Sequence, residues 1–208
     1  MTATRIKICG VRDEATAVCA AEAGADFLGV VLVPSSPRFV PPATARRLAA
    51  AISAAGASPV AVIRLPFGPD LVEPEARAAL EAFPILQFHG AESIDEVAGF
   101  RGWERWKGLH FSTAAASEWL ASSVAERLVV DGPDAGSGAA WDLAEFAALD
   151  ASLRSRCLLA GGLDPGSVAA AVRAARPWGV DVSSGVEIAR GVKDLARIRA
   201  FIEAARGA

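Results

Sequence analysis

The sequence lacks two features that would point to large partners. No apolar run approaches the ~20 residues that a membrane-spanning helix needs. Basic residues are not in excess, since 21 Lys and Arg stand against 24 Asp and Glu, for a formal net charge of -3. A general nucleic-acid surface would need a basic stripe, and none occurs. We therefore expect neither a membrane nor a nucleic acid as partner, and we expect any anionic ligand to be held by a few local groups.

Cysteine and histidine are also scarce. The three cysteines, Cys9, Cys19 and Cys157, have no metal-like spacing and leave one thiol unpaired if two are bridged. The two histidines, His89 and His110, are too few for a metal site by themselves, and no H-E-x-x-H motif is present. The first residues lead into a short strand pattern without the apolar core of a signal peptide. We expect no metal, no cofactor, reduced thiols and a cytoplasmic location.

Short apolar runs alternate with longer, Ala-rich amphipathic stretches along the chain. The predicted strands are Arg5–Cys9, Asp26–Leu32, Pro59–Leu65, Ile85–Phe88, Arg105–Leu109, Leu128–Asp131, Cys157–Ala160 and Gly179–Val182. The predicted helices begin near Asp13, Pro42, Asp70, Ser93, Ala115, Asp142, Asp164 and Lys193. This alternation is typical of βαβ units and a parallel sheet. We predict one α/β domain over residues 1–208, a (β/α)8 barrel of eight parallel strands surrounded by helices.

An open, doubly wound sheet could hold the same alternation. Its dinucleotide fingerprint is absent, because Cys9-Gly10-Val11-Arg12 after the first strand is not G-x-G-x-x-G. The candidate chemical residues also follow many different strands, as they do at the catalytic face of a barrel. Both observations favour the barrel.

Two glycine-containing loops follow the last two predicted strands. Gly161 and Gly162 come after the seventh strand, and Ser184 and Gly185 come after the eighth. In barrels these two loops often bind phosphate through backbone N–H groups. Either loop alone could equally be an ordinary turn, but the pair in this order favours a phosphate site.

Two strand ends carry groups suited to proton transfer. Cys9 ends the first strand, and Lys7 lies two residues earlier on the same face, where its ammonium should lower the pKa of the thiol and favour the thiolate. Asp131 ends the sixth strand, where partial burial would let it hold a proton near neutral pH. The plainer alternatives are a small buried hydrophobe for Cys9 and a loop cap or ion pair for Asp131.

Three further side chains are candidates for ligand binding. Arg38 could clamp a carboxylate bidentately, although Ser35-Ser36-Pro37-Arg38 alone is better interpreted as a proline turn with a surface arginine. His89 follows the fourth strand, where we expect it to shape the pocket or to hydrogen-bond in it. Asp181 is expected inside the barrel, in a hydrogen-bond or ion-pair network with Lys7 as a candidate partner.

Several blocks, taken together and in order, resemble the phosphoribosylanthranilate isomerase family. They cover nearly the whole chain: Lys7-Ile8-Cys9-Gly10, Gly24-Ala25-Asp26, Ser36-Pro37-Arg38, Leu86-Gln87-Phe88-His89-Gly90, Ala160-Gly161-Gly162-Leu163, Asp181-Val182-Ser183-Ser184-Gly185-Val186-Glu187 and Gly191-Val192-Lys193-Asp194. The first block and the Asp181–Glu187 block are highly specific as a pair.

The resemblance implies an Amadori rearrangement of a phosphorylated aminosugar, N-(5-phosphoribosyl)anthranilate, in tryptophan biosynthesis. It implies that Asp131 protonates the ribose ring oxygen as general acid and that Cys9 removes the proton from C2 as general base. Arg38 matches the family arginine near the anthranilate end, and Gly162, Ser184 and Gly185 fall in the phosphate loops. We expect a monomer, with a dimer as the alternative.

Two segments depart from the family pattern. Val62-Ile63-Arg64-Leu65-Pro66-Phe67-Gly68 replaces a Phe-Val-Asn-like end of the third strand, and Pro133–Gly138 replaces a Gly-Gly-Thr-Gly loop after the sixth. Arg64 could add an anion contact. Two alternatives stay open: a related or dual-substrate aminosugar phosphate isomerase, and a non-catalytic phosphosugar-binding barrel. Cys9 argues against the former, since those enzymes normally carry aspartate there, and retention of Cys9 with Asp131 argues against the latter.

Overall fold

The computed structural model describes residues 3–66, 73–132 and 143–208, and eight parallel strands close into a barrel in chain order. The strands are β1 Arg5–Cys9, β2 Phe27–Val31, β3 Ser58–Ile63, β4 Ile85–Phe88, β5 Glu104–His110, β6 Arg127–Asp131, β7 Cys157–Ala160 and β8 Gly179–Val182. The predicted (β/α)8 barrel is confirmed, and each strand lies within two residues of its predicted bounds.

Helices follow the strands on the outside of the barrel. They are α1 Glu14–Glu22, α2 Pro42–Ala54, α3 Glu73–Leu80, α4 Ile94–Ala98, α5 Thr113–Ser122, α6 Leu143–Ala147, α7 Ala151–Arg154, α8 Val168–Ala175 and α9 Leu195–Arg206. The predicted starts near Asp70 and Asp142 lie outside the described residues. None of the helices in the described ranges is long and apolar enough to cross a membrane.

Side-chain oxygens begin several helices where the sequence places them. Asp13 caps α1 by accepting a hydrogen bond from the N–H of Thr16, and Ser93 with Glu96 forms a capping box on α4. The predicted start of α8 near Asp164 is four residues early. The Asp164 carboxylate instead accepts hydrogen bonds from the N–H groups of Gly166 and Ser167, which closes a turn before the helix begins.

Alternation along the strands divides the apolar residues into two cores. Ile6, Ile8 and their equivalents face outward and pack between the barrel and the helices. Phe27, Trp106 and Trp178 face inward, with the Phe27 and Trp106 ring centroids 4.9 Å apart. These aromatic side chains fill the lower part of the barrel, so that polar inward-facing groups are left to the carboxyl ends of the strands.

An additional hairpin follows β8. The short 3-10 helix Ser184–Val186 leads into β9 Glu187–Ala189, which pairs antiparallel with β10 Val192–Lys193. The strand pattern of the sequence does not predict this hairpin. It contributes the charged groups Glu187 and Lys193 to the same end of the barrel that carries Cys9.

Candidate active site

Two adjoining cavities open at the carboxyl ends of the strands. The smaller has a volume of about 290 Å³ and is lined by Cys9. The larger, of about 810 Å³, is bounded by the loops after β7 and β8. Every predicted site residue lines at least one of them: Cys9 in the smaller, Arg38, His89, Asp131 and Asp181 in both, and Gly161, Gly162, Ser184 and Gly185 in the larger. The fold therefore brings the nine residues together.

The Cys9 thiol is paired with a buried lysine at the floor of the smaller cavity. Lys7 is fully buried, and its Nζ donates a hydrogen bond of 2.9 Å to Oδ1 of Asp181, its register partner on β8. The positive charge of Lys7 also acts on the Cys9 thiol. Gly29 on β2 leaves room for this pair, because a β-carbon there would lie 3.0 Å from Sγ of Cys9 and 3.3 Å from Nζ of Lys7. The expected partnership of Asp181 with Lys7 is present.

The expected direction of the Cys9 pKa is wrong. Burial raises the pKa of the thiol above its ordinary value, and this effect outweighs the opposite effects of the Lys7 and Lys193 ammonium groups. Burial opposes the charged form of Lys7, but its interactions with Asp181 and Cys9 together raise the Lys7 pKa. The resting thiol is thus protonated near neutral pH, and the two lysines reduce the cost of forming the thiolate.

Asp131 ends β6 and faces His89, which follows β4. Nε2 of His89 lies 3.3 Å from Oδ2 of Asp131, and Nδ1 lies 3.0 Å from Nε2 of Gln87. With the Gln87 amide in this orientation its nitrogen donates to Nδ1, which places the ring proton on Nε2, toward Asp131. Gly108 on β5 makes room for the ring, because a β-carbon there would overlap His89.

Arg38 does clamp a carboxylate, but the carboxylate belongs to the protein. Its Nε and Nη2 donate hydrogen bonds of 2.6 and 2.9 Å to the two oxygens of Glu187. Lys193 adds a third bond of 3.0 Å to Glu187. Although burial opposes it, these donors, with the N–H of Gly191, lower the pKa of Glu187 to about 2. Arg38 thus lines both cavities at the mouth, as its assignment to substrate binding requires, and not the open surface that Ser35-Ser36-Pro37-Arg38 alone favours.

Glu187 and Lys193 connect Arg38 to the strand that carries Cys9. Lys193 donates a hydrogen bond of 2.8 Å to the carbonyl oxygen of Ser183, whose hydroxyl donates one of 3.1 Å to the carbonyl oxygen of Cys9. Gln87 and Ser183 could have been found from alternation, since each lies two residues from a predicted site residue. Glu187 and Lys193 fall in two of the blocks that carry the family resemblance, but the strand pattern assigns neither of them a role at the site.

The two glycine loops have the backbone that close approach to an anion requires. Gly161 and Gly162 have φ of +81° and +69°, which favours glycine. Within the described residues, their N–H groups donate no hydrogen bond. Gly185 packs against the first loop, since a β-carbon there would overlap the carbonyl oxygen of Leu163. On the side of these two loops, the larger cavity is therefore bounded by glycine backbone.

One of the two segments that depart from the family pattern lies partly within the described residues, at the mouth of the barrel. Arg64 lines the smaller cavity beside Cys9, whereas Phe67, Gly68 and residues 133–138 lie outside the described residues. No group of three or more His, Cys, Asp or Glu in the described part of the chain is arranged to hold a metal ion.

The fold and its mouth define a (β/α)8-barrel protein in which a buried thiol and a carboxyl group face one cavity beside two glycine loops. Comparison with known proteins gives the family. The sequence model of the N-(5'-phosphoribosyl)anthranilate (PRA) isomerase family matches residues 6–204. This chain belongs to that family.

Individual relatives cover nearly the whole chain. It is 40% identical to the N-(5'-phosphoribosyl)anthranilate isomerase of Roseiflexus sp. over 98% of each protein. Among solved structures, TrpF from Jonesia denitrificans is similar with a TM-score of 0.80 and 38% identity, covering 99% of this chain and 98% of the other. A phosphoribosyl anthranilate isomerase in complex with reduced 1-(o-carboxyphenylamino)-1-deoxyribulose 5-phosphate has a TM-score of 0.79 and 28% identity, covering 99% and 100%.

Proposed function

We propose that this protein isomerises N-(5-phosphoribosyl)anthranilate to 1-(2-carboxyphenylamino)-1-deoxyribulose 5-phosphate in tryptophan biosynthesis. The observation that carries the proposal is the pairing of Cys9 and Asp131 in one cavity, on strands β1 and β6, beside glycine loops suited to a phosphate. A thiol and a carboxyl group on different walls can act on different atoms of one sugar.

Asp131 acts first, as general acid. It gives its proton to the ribose ring oxygen, the C1–O bond breaks, and the nitrogen lone pair forms the C1=N Schiff base. His89 directs its Nε2 proton at the Asp131 carboxyl, which supports the carboxylate that this step leaves behind. The positive charge on the Schiff base then acidifies the proton on C2.

Cys9 acts second, as general base on C2. The electrons of the C2–H bond form the C1=C2 bond of an enolamine and neutralise the nitrogen, and tautomerisation with proton gain at C1 gives the 2-ketose. Because burial raises the pKa of Cys9, the thiolate must be supported as it forms, and the Lys7 and Lys193 ammonium groups provide that support. Asp181 holds Lys7 in place for this role.

The substrate extends across both cavities. Its phosphate binds the backbone of Gly161, Gly162, Ser184 and Gly185 in the larger cavity, while its aryl end enters the smaller one beside Arg38. All of these groups come from one chain, so we expect a monomer to be active, although the enzyme from Thermotoga maritima is described as dimeric. We expect the protein to act in the cytoplasm, where its thiols stay reduced.

The test is the decay of substrate fluorescence with freshly made phosphoribosylanthranilate. The unaltered protein should convert it, and Cys9→Ala and Asp131→Asn should each lower kcat by about 10²- to 10⁴-fold while binding changes little. Tight binding without turnover would instead support a non-catalytic barrel. Comparable efficiency on the histidine-pathway aminosugar phosphate would overturn the specificity.

A further inference from the structure

A buried ion pair lies just outside the mouth of the barrel. Lys107 on β5 and Glu92, just before α4, have side chains that are 4% and 0% exposed, with Nζ 2.6 Å from Oε2. Neither residue of this buried pair lines the two cavities. Although burial opposes it, hydrogen bonds from Lys107 and from the N–H of Leu65 lower the pKa of Glu92, so the pair is charged at neutral pH. Because a buried ion pair is weak evidence for net stability, its position calls for another explanation.

The buried pair holds both backbone polar groups of Gly90, the residue that follows His89. The N–H of Gly90 donates a hydrogen bond of 2.9 Å to Glu92, and its carbonyl oxygen accepts one of 2.6 Å from Nζ of Lys107. A glycine is required there, because a β-carbon would lie 2.6 Å from Oε1 of Glu92. Glu92 also accepts a hydrogen bond of 3.0 Å from the N–H of Leu65, so one carboxylate connects the loops after β3 and β4.

Strand β5 contacts this segment from two sides. The ammonium group of Lys107 lies 5.5 Å from the centroid of the Trp119 ring on α5, which helps to hold it against the outside of the barrel wall. The next residue, Gly108, faces inward, and its missing β-carbon makes room for the His89 ring. Gly108 thus gives the ring its space, while Lys107 holds the main chain that follows it.

The direction of the His89 ring depends on that main chain. The side chain is 41% exposed, and its Nε2 lies 3.3 Å from Oδ2 of Asp131, a distance that a small shift of Gly90 would change. We propose that the buried pair positions His89, fixing the main chain that follows it so that Nε2 is directed at Asp131. Lys107 and Glu92 are then positioning residues of the reaction. This inference rests on the proposed function, in which His89 supports the carboxylate that ring opening leaves behind.

Two variants separate positioning from stability. Lys107→Met leaves the Glu92 carboxylate buried without its partner, so it should lower both kcat and the resistance to urea. The double variant Lys107→Met/Glu92→Gln buries no unpaired charge and should recover most of that resistance, while the carbonyl group of Gly90 still lacks its donor. In both variants kcat should fall about 10- to 10²-fold with KM changed less than about twofold, because a displaced His89 affects the transition state more than binding.

A spectroscopic signature reports on the ring directly. The chain has two histidines, so ¹⁵N-labelled histidine gives two sets of ring signals in NMR spectra, and His110→Gln identifies those of His89. At mildly alkaline pH the native His89 should carry its proton on Nε2. In the double variant the signals of the two ring nitrogens should move toward each other, as the proton divides between Nε2 and Nδ1.

The matched control is Arg105→Met on the same strand. It removes the ion pair of Arg105 with Glu126, whose Nη2 and Oε1 are 3.1 Å apart, at the end of β5 that lies away from the mouth. Because this pair does not contact the loop after β4, Arg105→Met should leave both kcat and the His89 signals unchanged.

The outcomes separate the two claims. If the folded double variant has native kcat and native His89 signals, the positioning role is refuted and the isomerase stands. If folded native protein does not convert phosphoribosylanthranilate, the proposed function fails. In that case unchanged His89 signals in the double variant would refute the positioning of the ring as well, and displaced signals would support it.

Discussion

Replacing Lys7 with Met removes the ammonium that faces Asp181 and Cys9 inside the barrel. Lys7 is fully buried and Asp181 is 7% exposed, so the remaining carboxylate has little water to replace its partner. Breaking a buried ion pair by removing one partner costs about 3–5 kcal/mol. Because Asp181 borders both cavities and can regain some hydration there, we expect the lower end, about 3 kcal/mol.

The assay is urea unfolding at neutral pH, followed by far-UV circular dichroism. Lys7→Met should lower the free energy of unfolding by about 3 kcal/mol, and the double variant Lys7→Met/Asp181→Asn should recover about 2 kcal/mol of it, since a neutral amide is less costly to bury than an unpaired charge. Arg101→Met, at an exposed position, should change stability by less than about 0.5 kcal/mol.

The same variant provides a chemical readout at Cys9. Without the Lys7 charge, less opposes the effect of burial on the Cys9 pKa. That pKa should therefore rise further, and the thiolate fraction at mildly alkaline pH should fall. Alkylation of Cys9 by iodoacetamide, followed by mass spectrometry of each cysteine peptide, should therefore be slower in Lys7→Met. A stability loss below about 1 kcal/mol, no recovery in the double variant, or faster alkylation would refute this account of the pair.

Three more variants test the mouth. The Glu187 pKa of about 2 lies below its ordinary value of 4.5, so the ionised carboxylate contributes about 3 kcal/mol of stability. This contribution is fully present above about pH 4.5 and is lost as the pH falls toward 2. Glu187→Gln should lose this acid dependence in urea titrations, and a loss of stability that is the same at every pH would contradict it. Gly108→Ala should displace His89 and lower kcat roughly 10²-fold at nearly unchanged stability; native kcat would show that the ring position is unimportant. Gln87→Leu removes the hydrogen bond to Nδ1 of His89 and should lower kcat with little change in KM, whereas a change in stability alone would indicate a structural role.

The barrel itself follows from the sequence because parallel strands buried on both faces form short, nearly continuous apolar runs. Leu128 to Val130 and Cys157 to Leu159 are runs of this kind, and their strand bounds agree with the structure to within one residue. The sequence does not place the start of α8, because Asp164 suits a helix cap and a turn equally well, and only the hydrogen bonds to Gly166 and Ser167 decide between them.

The site residues at the ends of individual strands can be predicted from the sequence, but the side chains that pair with them at the mouth cannot. Strand parity places Cys9, Asp131 and Asp181 toward the cavity. The clamp on Arg38 comes from Glu187, 149 residues away in a hairpin whose strands are too short for any periodicity to reveal. The direction of the Cys9 pKa cannot be predicted for a similar reason: the sequence shows Lys7 two residues away, but not the depth of burial that outweighs it.

The most direct test of the central claim is turnover of phosphoribosylanthranilate in D2O, with deuterium in the product located by mass spectrometry and NMR. In the proposed mechanism Cys9 removes the C2 proton and the enolamine is then protonated at C1. Native protein should therefore give product with one deuterium at C1. Folded Cys9→Ala should form much less product. Product without deuterium at C1 would show that the proton moves from C2 to C1 without exchange. Undiminished turnover by Cys9→Ala would contradict the assignment of Cys9 as the base.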